Sequence, residues 1–277
     1  MKEPNIFKSE AGRKSILAAY DQIMRQWPLP YESKIIPTRH GETHIVACGS
    51  EKSPSLILLH GSGSNATMWI GDVSIFASSY RVYAIDIPGE PGKSEPVRRE
   101  LEGPAYAEWM QDIFSGLGIQ KAYMLGMSLG GWMALRFATV HPDMIEKLVL
   151  LCPAGVTQLR LSFVFRILPL MLMGKTDRVI QIINGNVDMP EEAMAYVKLI
   201  NANFNPRTAI PVFADEEMKR LTMPVLAITG ARDAFFPSAK TVARLSKLVP
   251  NVTTILLPEA GHLLINQTER VMSFLNL

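Results

Sequence analysis

Short apolar runs alternate with amphipathic stretches along most of this 277-residue chain. Ser55–His60, Arg81–Asp86, Tyr123–Gly126, Lys147–Cys152, Met223–Thr229 and Val252–Leu257 are nearly continuous apolar segments, the pattern of strands buried on both faces. Between them, Ala105–Leu117, Trp132–Val140, Ser238–Leu248 and Ile265–Leu275 carry apolar residues at helical spacing. Strand–helix alternation over residues 55–152 predicts a mostly parallel β-sheet flanked by helices, an α/β class fold.

Two stretches depart from the alternation. Ile16, Tyr20, Ile23, Met24 and Trp27 recur at helical spacing and are closed by Pro28 and Pro30, which predicts a helical N-terminal extension over 1–32. A hairpin follows, Lys34–Thr38 and Thr43–Ala47 about a turn at Arg39-His40-Gly41-Glu42. Alternation stops after Gly155 and resumes near Met223. The interval 156–221 reads as a helical insertion, dense in apolar residues between Phe163 and Met173, that caps the sheet edge and lines a pocket. The core is then 33–155 with 222–277.

Chemistry gathers where the apolar runs end. Gly126-Met127-Ser128-Leu129-Gly130 stands between a strand and a helix, so Ser128 occupies a sharp turn at a helix N-terminus. Alone the motif also fits an ordinary tight turn with a capping serine. Gly230-Ala231-Arg232-Asp233 and Ala260-Gly261-His262 follow the last two strands. Strand carboxyl ends share one edge of an open parallel sheet. This edge therefore receives a serine, an acid and a base in the order Ser128, Asp233, His262. A serine needs a base to take its proton, and the base needs a carboxylate to fix its tautomer. Gly61-Ser62-Gly63 follows another buried strand, and the backbone N–H groups of Ser62 and Leu129 are the candidate oxyanion donors. Asp86 also ends a strand and ranks second as the acid. Of the other histidines, His60 is expected to brace the glycine loop, His141 to be structural, and His40 and His44 to lie on the surface.

Composition narrows the function. Lys and Arg number 28 against 26 Asp and Glu, without a basic block, which argues against nucleic-acid partners. Two cysteines, Cys48 and Cys152, make no disulfide framework and lie in no metal-ligand spacing. The stretch Leu161–Met173, broken by Arg166 and Pro169, is too short for a membrane span of about 18 apolar residues. The start of the chain lacks an apolar signal core. These features predict a cytoplasmic protein without membrane insertion. Gly92-Lys93-Ser94 lacks the upstream glycine and helix of a phosphate loop.

With these residues assembled, the chain resembles the α/β-hydrolase superfamily over roughly 33–277. The resemblance rests on His60-Gly61-Ser62-Gly63, Asp86-Ile87-Pro88-Gly89, Gly126-Met127-Ser128-Leu129-Gly130-Gly131, Gly230-Ala231-Arg232-Asp233 and Ala260-Gly261-His262. It is most similar to small bacterial serine carboxylesterases with a helical cap. That implies Ser128 as nucleophile, Asp233 as acid, His262 as base, and Ser62 and Leu129 as oxyanion donors. No cofactor and no metal are implied, and the expected partner is a small, largely apolar ester, bound by a monomer or homodimer. Serine in place of aspartate at 128 argues against haloalkane dehalogenases and epoxide hydrolases of this fold. Glu90-Pro91-Gly92 makes the loop after Gly89 one residue longer than in many relatives. Alternatives are a carbon–carbon bond hydrolase of the same fold and a ligand-binding protein that retains the triad.

Overall fold

The computed structural model describes residues 5–173, 175–184, 187, 189–207 and 209–277. Its centre is an eight-stranded sheet. The strands in chain order are β1 (Tyr31–Thr38), β2 (Gly41–Cys48), β3 (Ser55–Leu59), β4 (Arg81–Ile85), β5 (Ala122–Met127), β6 (Ile145–Leu151), β7 (Val225–Gly230) and β8 (Val252–Leu257). They lie in the order β1-β2-β4-β3-β5-β6-β7-β8. The hairpin β1–β2 is antiparallel and joins β4 antiparallel. From β4 across to β8 every pair is parallel.

Side chains alternate between the two faces of each strand, and two apolar layers result. Ile57 and Leu59 of β3 join one layer, with Trp109, Phe114, Phe137 and Leu245. Those residues come from α3 (Ala105–Leu117), α4 (Leu129–Val140) and α9 (Ser238–Leu248). Leu56 and Leu58 join the opposite layer with Tyr20, Phe76 and Val271. These belong to α1 (Glu10–Met24), to α2 (Val73–Ala77) and to α10 (Thr268–Asn276). Ser9 caps α1 by accepting the Gly12 N–H at 3.0 Å.

Between β6 and β7 the chain forms α5 (Leu161–Leu172), α6 (Thr176–Asn184), α7 (Glu191–Asn203) and α8 (Asp215–Met218). The chain's beginning is sewn to this region. Ile6, Phe7 and Ile16 share a small core with Ile200 and Phe204, and Phe7 bridges Phe204. Among the described residues no helix is long and apolar enough to cross a membrane.

Local expectations needed two revisions here. The last helix starts at Thr268 rather than near Ile265, because Asn266 adopts a positive φ of 56° and breaks the helical path. His44, expected at the surface, is buried at 3% exposure. It faces the inner side of β2, where Asp86 receives it at 3.0 Å.

Helix α4 is buried along nearly its whole length and meets β3 and β5 at close range. The approach is possible only because two glycines lack a Cβ. One added at Gly126 would sit 2.4 Å from the Gly130 carbonyl oxygen, and one at Gly130 would sit 2.1 Å from that of Leu59. Backbone cannot yield as a side chain does. Gly130→Ala is therefore expected to lower stability by about 3 kcal/mol or more, seen as a fall in the urea midpoint. A midpoint equal to wild type would disprove the tight packing.

Candidate active site

Strand β5 ends at Met127 and α4 begins at Leu129, so Ser128 alone makes the turn. It does so at φ 52°, ψ −111°, a conformation that is strained for a residue with a Cβ. The surroundings impose it. The Ser128 N–H donates to Leu151 O at 2.9 Å, and its carbonyl accepts from Trp132 and Ala154 at 3.0 and 3.1 Å. The side chain is thereby lifted off the strand end, above the N-terminus of α4.

The end of β8 brings His262 to the same place, and the end of β7 brings Asp233. His262 Nδ1 lies 2.8 Å from Asp233 Oδ2, and its Nε2 lies 2.9 Å from Ser128 Oγ. A carboxylate only accepts, so Nδ1 carries the proton and Nε2 offers its lone pair to the serine hydroxyl. Asp233 is held on its other side by the N–H groups of Phe235 and Phe236, which donate to Oδ1 at 2.7 and 3.2 Å. The acid is buried at 3% exposure and the histidine at 7%. This arrangement can raise the nucleophilicity of a hydroxyl and store the proton it releases.

Two backbone N–H groups, those of Ser62 and Leu129, are the candidate oxyanion donors. Leu129 opens α4, so its N–H has no intrahelical acceptor. A Cβ on Gly61 would stand 3.7 Å from Ser128 Cβ, so the residue preceding Ser62 lies in contact with the serine. Neither N–H donates to a backbone acceptor among the described residues. His60 braces this loop from below. Its Nδ1–H donates to Gly61 O at 2.8 Å and its Nε2 accepts the Ile87 N–H at 2.9 Å. Burial pushes the His60 pKa down, which suits the neutral ring these bonds require.

Asp86, the second candidate for the acid, does not reach His262. Burial pushes its carboxyl up, but His44, His60 and the Lys93 N–H together outweigh this and hold it below the usual range. His44 Nε2 in turn lies 2.8 Å from Ser33 Oγ. Ser33, His44 and Asp86 thus repeat the hydrogen-bond order of the first constellation. Ser33, however, lies within the extended edge strand β1, with no helix N-terminus behind it. A hydrogen-bonded serine alone does not make a reaction centre, and these three residues tie the hairpin to the loop after β4.

Three aromatic side chains cluster at His262, of which only Phe163 fell in a stretch expected to line a pocket. Phe235 and Phe236 pack on His262 at ring distances of 4.6 and 5.8 Å, and Phe163 of α5 stacks on Phe235 at 4.3 Å. An aromatic pair two residues past the acid was the available signal. Cys152, with a positive φ of 43°, places its thiol beside the Asp–His pair, donating weakly to Gly261 O at 3.9 Å. Burial and the Asp233 charge push its pKa far up. The ligand atoms of Cys152, Asp233 and His262 lie within 4.8 Å of one another. Both Asp233 oxygens and both His262 nitrogens are already committed to hydrogen bonds, so a metal ion would have to break the Asp–His–Ser chain.

Comparison with known proteins identifies relatives of the whole chain. Residues 56–273 match the sequence profile of the Alpha/beta hydrolase family. The chain is 34% identical over 275 residues to Carboxylesterase YbfK of Bacillus subtilis, covering 93% of this chain and 92% of that one. The crystal structure of carboxylesterase CesB (YbfK) superposes with a TM-score of 0.85 at 32% identity, over 96% of this chain and 98% of that one. Naproxen esterase (carboxylesterase NP), also from Bacillus subtilis, gives a TM-score of 0.84 at 29% identity, over 97% of this chain and all of that one.

Proposed function

This chain belongs to the alpha/beta hydrolase family, and from that premise we propose that it is a serine hydrolase cleaving carboxylic esters of small, largely apolar substrates. The observation that carries the reading is the continuous Asp233–His262–Ser128 hydrogen-bond chain on a strained strand-to-helix turn. Its relatives named carboxylesterases match it over nearly their full length.

The reaction follows from the residues. Ser128 Oγ attacks the ester carbonyl carbon as its proton passes to His262 Nε2. Asp233 then faces an imidazolium and stabilises it through Nδ1–H. The carbonyl oxygen becomes an oxyanion, which the N–H groups of Ser62 and Leu129 receive, aided by the positive end of the α4 dipole. Collapse expels the alcohol, which takes the proton from His262 and leaves an acyl group on Ser128. Water, deprotonated by the same imidazole, attacks this acyl-enzyme and releases the acid. Residues 156–221 act as a cap: Arg160 donates to the Phe235 and Phe236 carbonyls, and Phe163 adds to the aromatic wall beside His262. That wall favours an apolar acyl or alcohol group.

A fluorophosphonate probe tests the proposal without a guess about substrate. Intact mass should show one adduct per chain, and peptide mapping should place it on Ser128. An unlabelled folded protein, or an adduct on Ser33, would overturn the reading.

A further inference from the structure

The longer loop after Gly89 opens with Glu90, which is buried at 1% exposure. A carboxylate is almost never buried without a partner. Its partners here belong to the loop beside Ser128. Gly63 N–H donates to Glu90 Oε2 at 2.8 Å, and Ser62 Oγ donates to the same oxygen at 3.2 Å. Arg98 stands behind, its Nη2 at 3.9 Å from Oε1, while its Nε donates to Gly89 O at 3.1 Å. Oε1 itself has no hydrogen-bond partner among the described residues. Burial raises the Glu90 pKa, and Gly63 N–H, Arg98, Arg207 and Ser62 pull against that rise.

We propose that Glu90 is a positioning residue of the reaction: its carboxylate fixes the Gly61–Gly63 backbone so that the Ser62 N–H is held ready for the oxyanion. The proposal rests on the serine-hydrolase reading above.

Glycines on both sides of Ser62 leave that segment free to adopt many conformations, and Gly63 sits at a φ of 68°. An oxyanion donor works because it is oriented before charge develops. The Gly63 N–H belongs to the planar peptide unit that follows Ser62. Anchoring that unit and the Ser62 hydroxyl to one oxygen holds the Ser62 Cα and narrows the directions open to its N–H. A buried acceptor for the Gly63 N–H at 2.8 Å is what holds the segment. Asn65 adds a second tie between the two loops, donating to Pro91 O at 2.8 Å and to Tyr196 Oη of α7 at 2.8 Å. Arg98 and Arg207 offset the negative charge, which would otherwise oppose the developing oxyanion.

Three variants separate this role from a merely structural one. E90Q keeps an acceptor for Gly63 N–H without the charge. E90M keeps the shape without an acceptor. E90D keeps the charge but falls one methylene short. With a p-nitrophenyl ester, E90Q should stay within about threefold of wild-type kcat. E90M and E90D should lose about 10- to 100-fold in kcat, with KM within twofold. Affinity for a trifluoromethyl ketone, which forms a tetrahedral adduct on the serine, should fall by the same factor as kcat. Unchanged kcat in folded E90M and E90D, a kcat loss without weaker ketone binding, or E90Q falling as far as E90D would each overturn the proposal. If E90M does not fold, E90D against E90Q decides. A fluorophosphonate control keeps the two readings apart. An unlabelled wild type sinks the serine-hydrolase reading and Glu90 with it, whereas a labelled wild type with unaffected Glu90 variants sinks Glu90 alone.

Discussion

Ser128→Ala is expected to lower kcat for ester hydrolysis by about 10⁶-fold while leaving the protein folded. The methyl side chain removes the atom that bonds to the substrate, and His262 then has no hydroxyl to deprotonate. What remains, on the proposed mechanism, is attack by water with the Ser62 and Leu129 N–H groups still available to the oxyanion. That residue of catalysis is worth about 10³–10⁴ over water in comparable enzymes. Folding should survive, because the turn's backbone bonds to Leu151, Trp132 and Ala154 do not involve Oγ. The φ of 52° is no worse for alanine than for serine. Initial rates, with circular dichroism to check the fold, measure the effect. The second hydrogen-bonded serine, Ser33, gives no rescue. A variant that keeps more than about 1% of wild-type kcat would place the nucleophile elsewhere and remove the premise of the proposed mechanism.

Asp233→Asn should lower kcat by about 10⁴-fold, for a reason the hydrogen bonds make specific. Oδ1 of Asp233 must remain an acceptor, because the Phe235 and Phe236 N–H groups both point at it. An asparagine therefore keeps its carbonyl oxygen there and turns its amide NH₂ toward His262 Nδ1. Nδ1 then has to accept, the ring proton moves to Nε2, and Nε2 donates to Ser128 instead of taking its proton. The side chain is isosteric, so the fold and KM should change little. Fluorophosphonate labelling should slow in step with kcat. A loss under tenfold would show that the histidine tautomer is set by something other than Asp233.

Much of the architecture follows from local pattern. Buried parallel strands need side chains that are apolar on both faces, and Leu56–Leu59, Val82–Ile85 and Leu148–Leu151 are written that way. The meeting of Ser128, Asp233 and His262 was legible for the same reason. Once the strands are placed, their carboxyl ends share an edge, so Ser128, Asp233 and His262 converge although 134 residues separate the first from the last. Gly126 and Gly130 mark the turn because no side chain fits between α4 and the strands beneath it.

Other features depend on contacts that no local period encodes. His44 lies in a strand whose register decides which face each residue takes, and a one-residue slip would send it to solvent. Only pairing of β2 with β4 turns it toward Asp86. Glu90 sits in a Pro/Gly loop with no periodicity, where a charged residue ordinarily faces water. Its burial against Gly63 and Arg98 depends on two loops from different strand ends meeting. Phe163 reaches Phe235 across 72 residues, through the path of the helices between β6 and β7. The sequence by itself determined the strands, their layering and the residues delivered to one edge, because these follow from side-chain period and turn chemistry. Tertiary structure alone decided what surrounds that edge, because loop-to-loop and helix-to-loop contacts form only after the sheet has brought distant segments together.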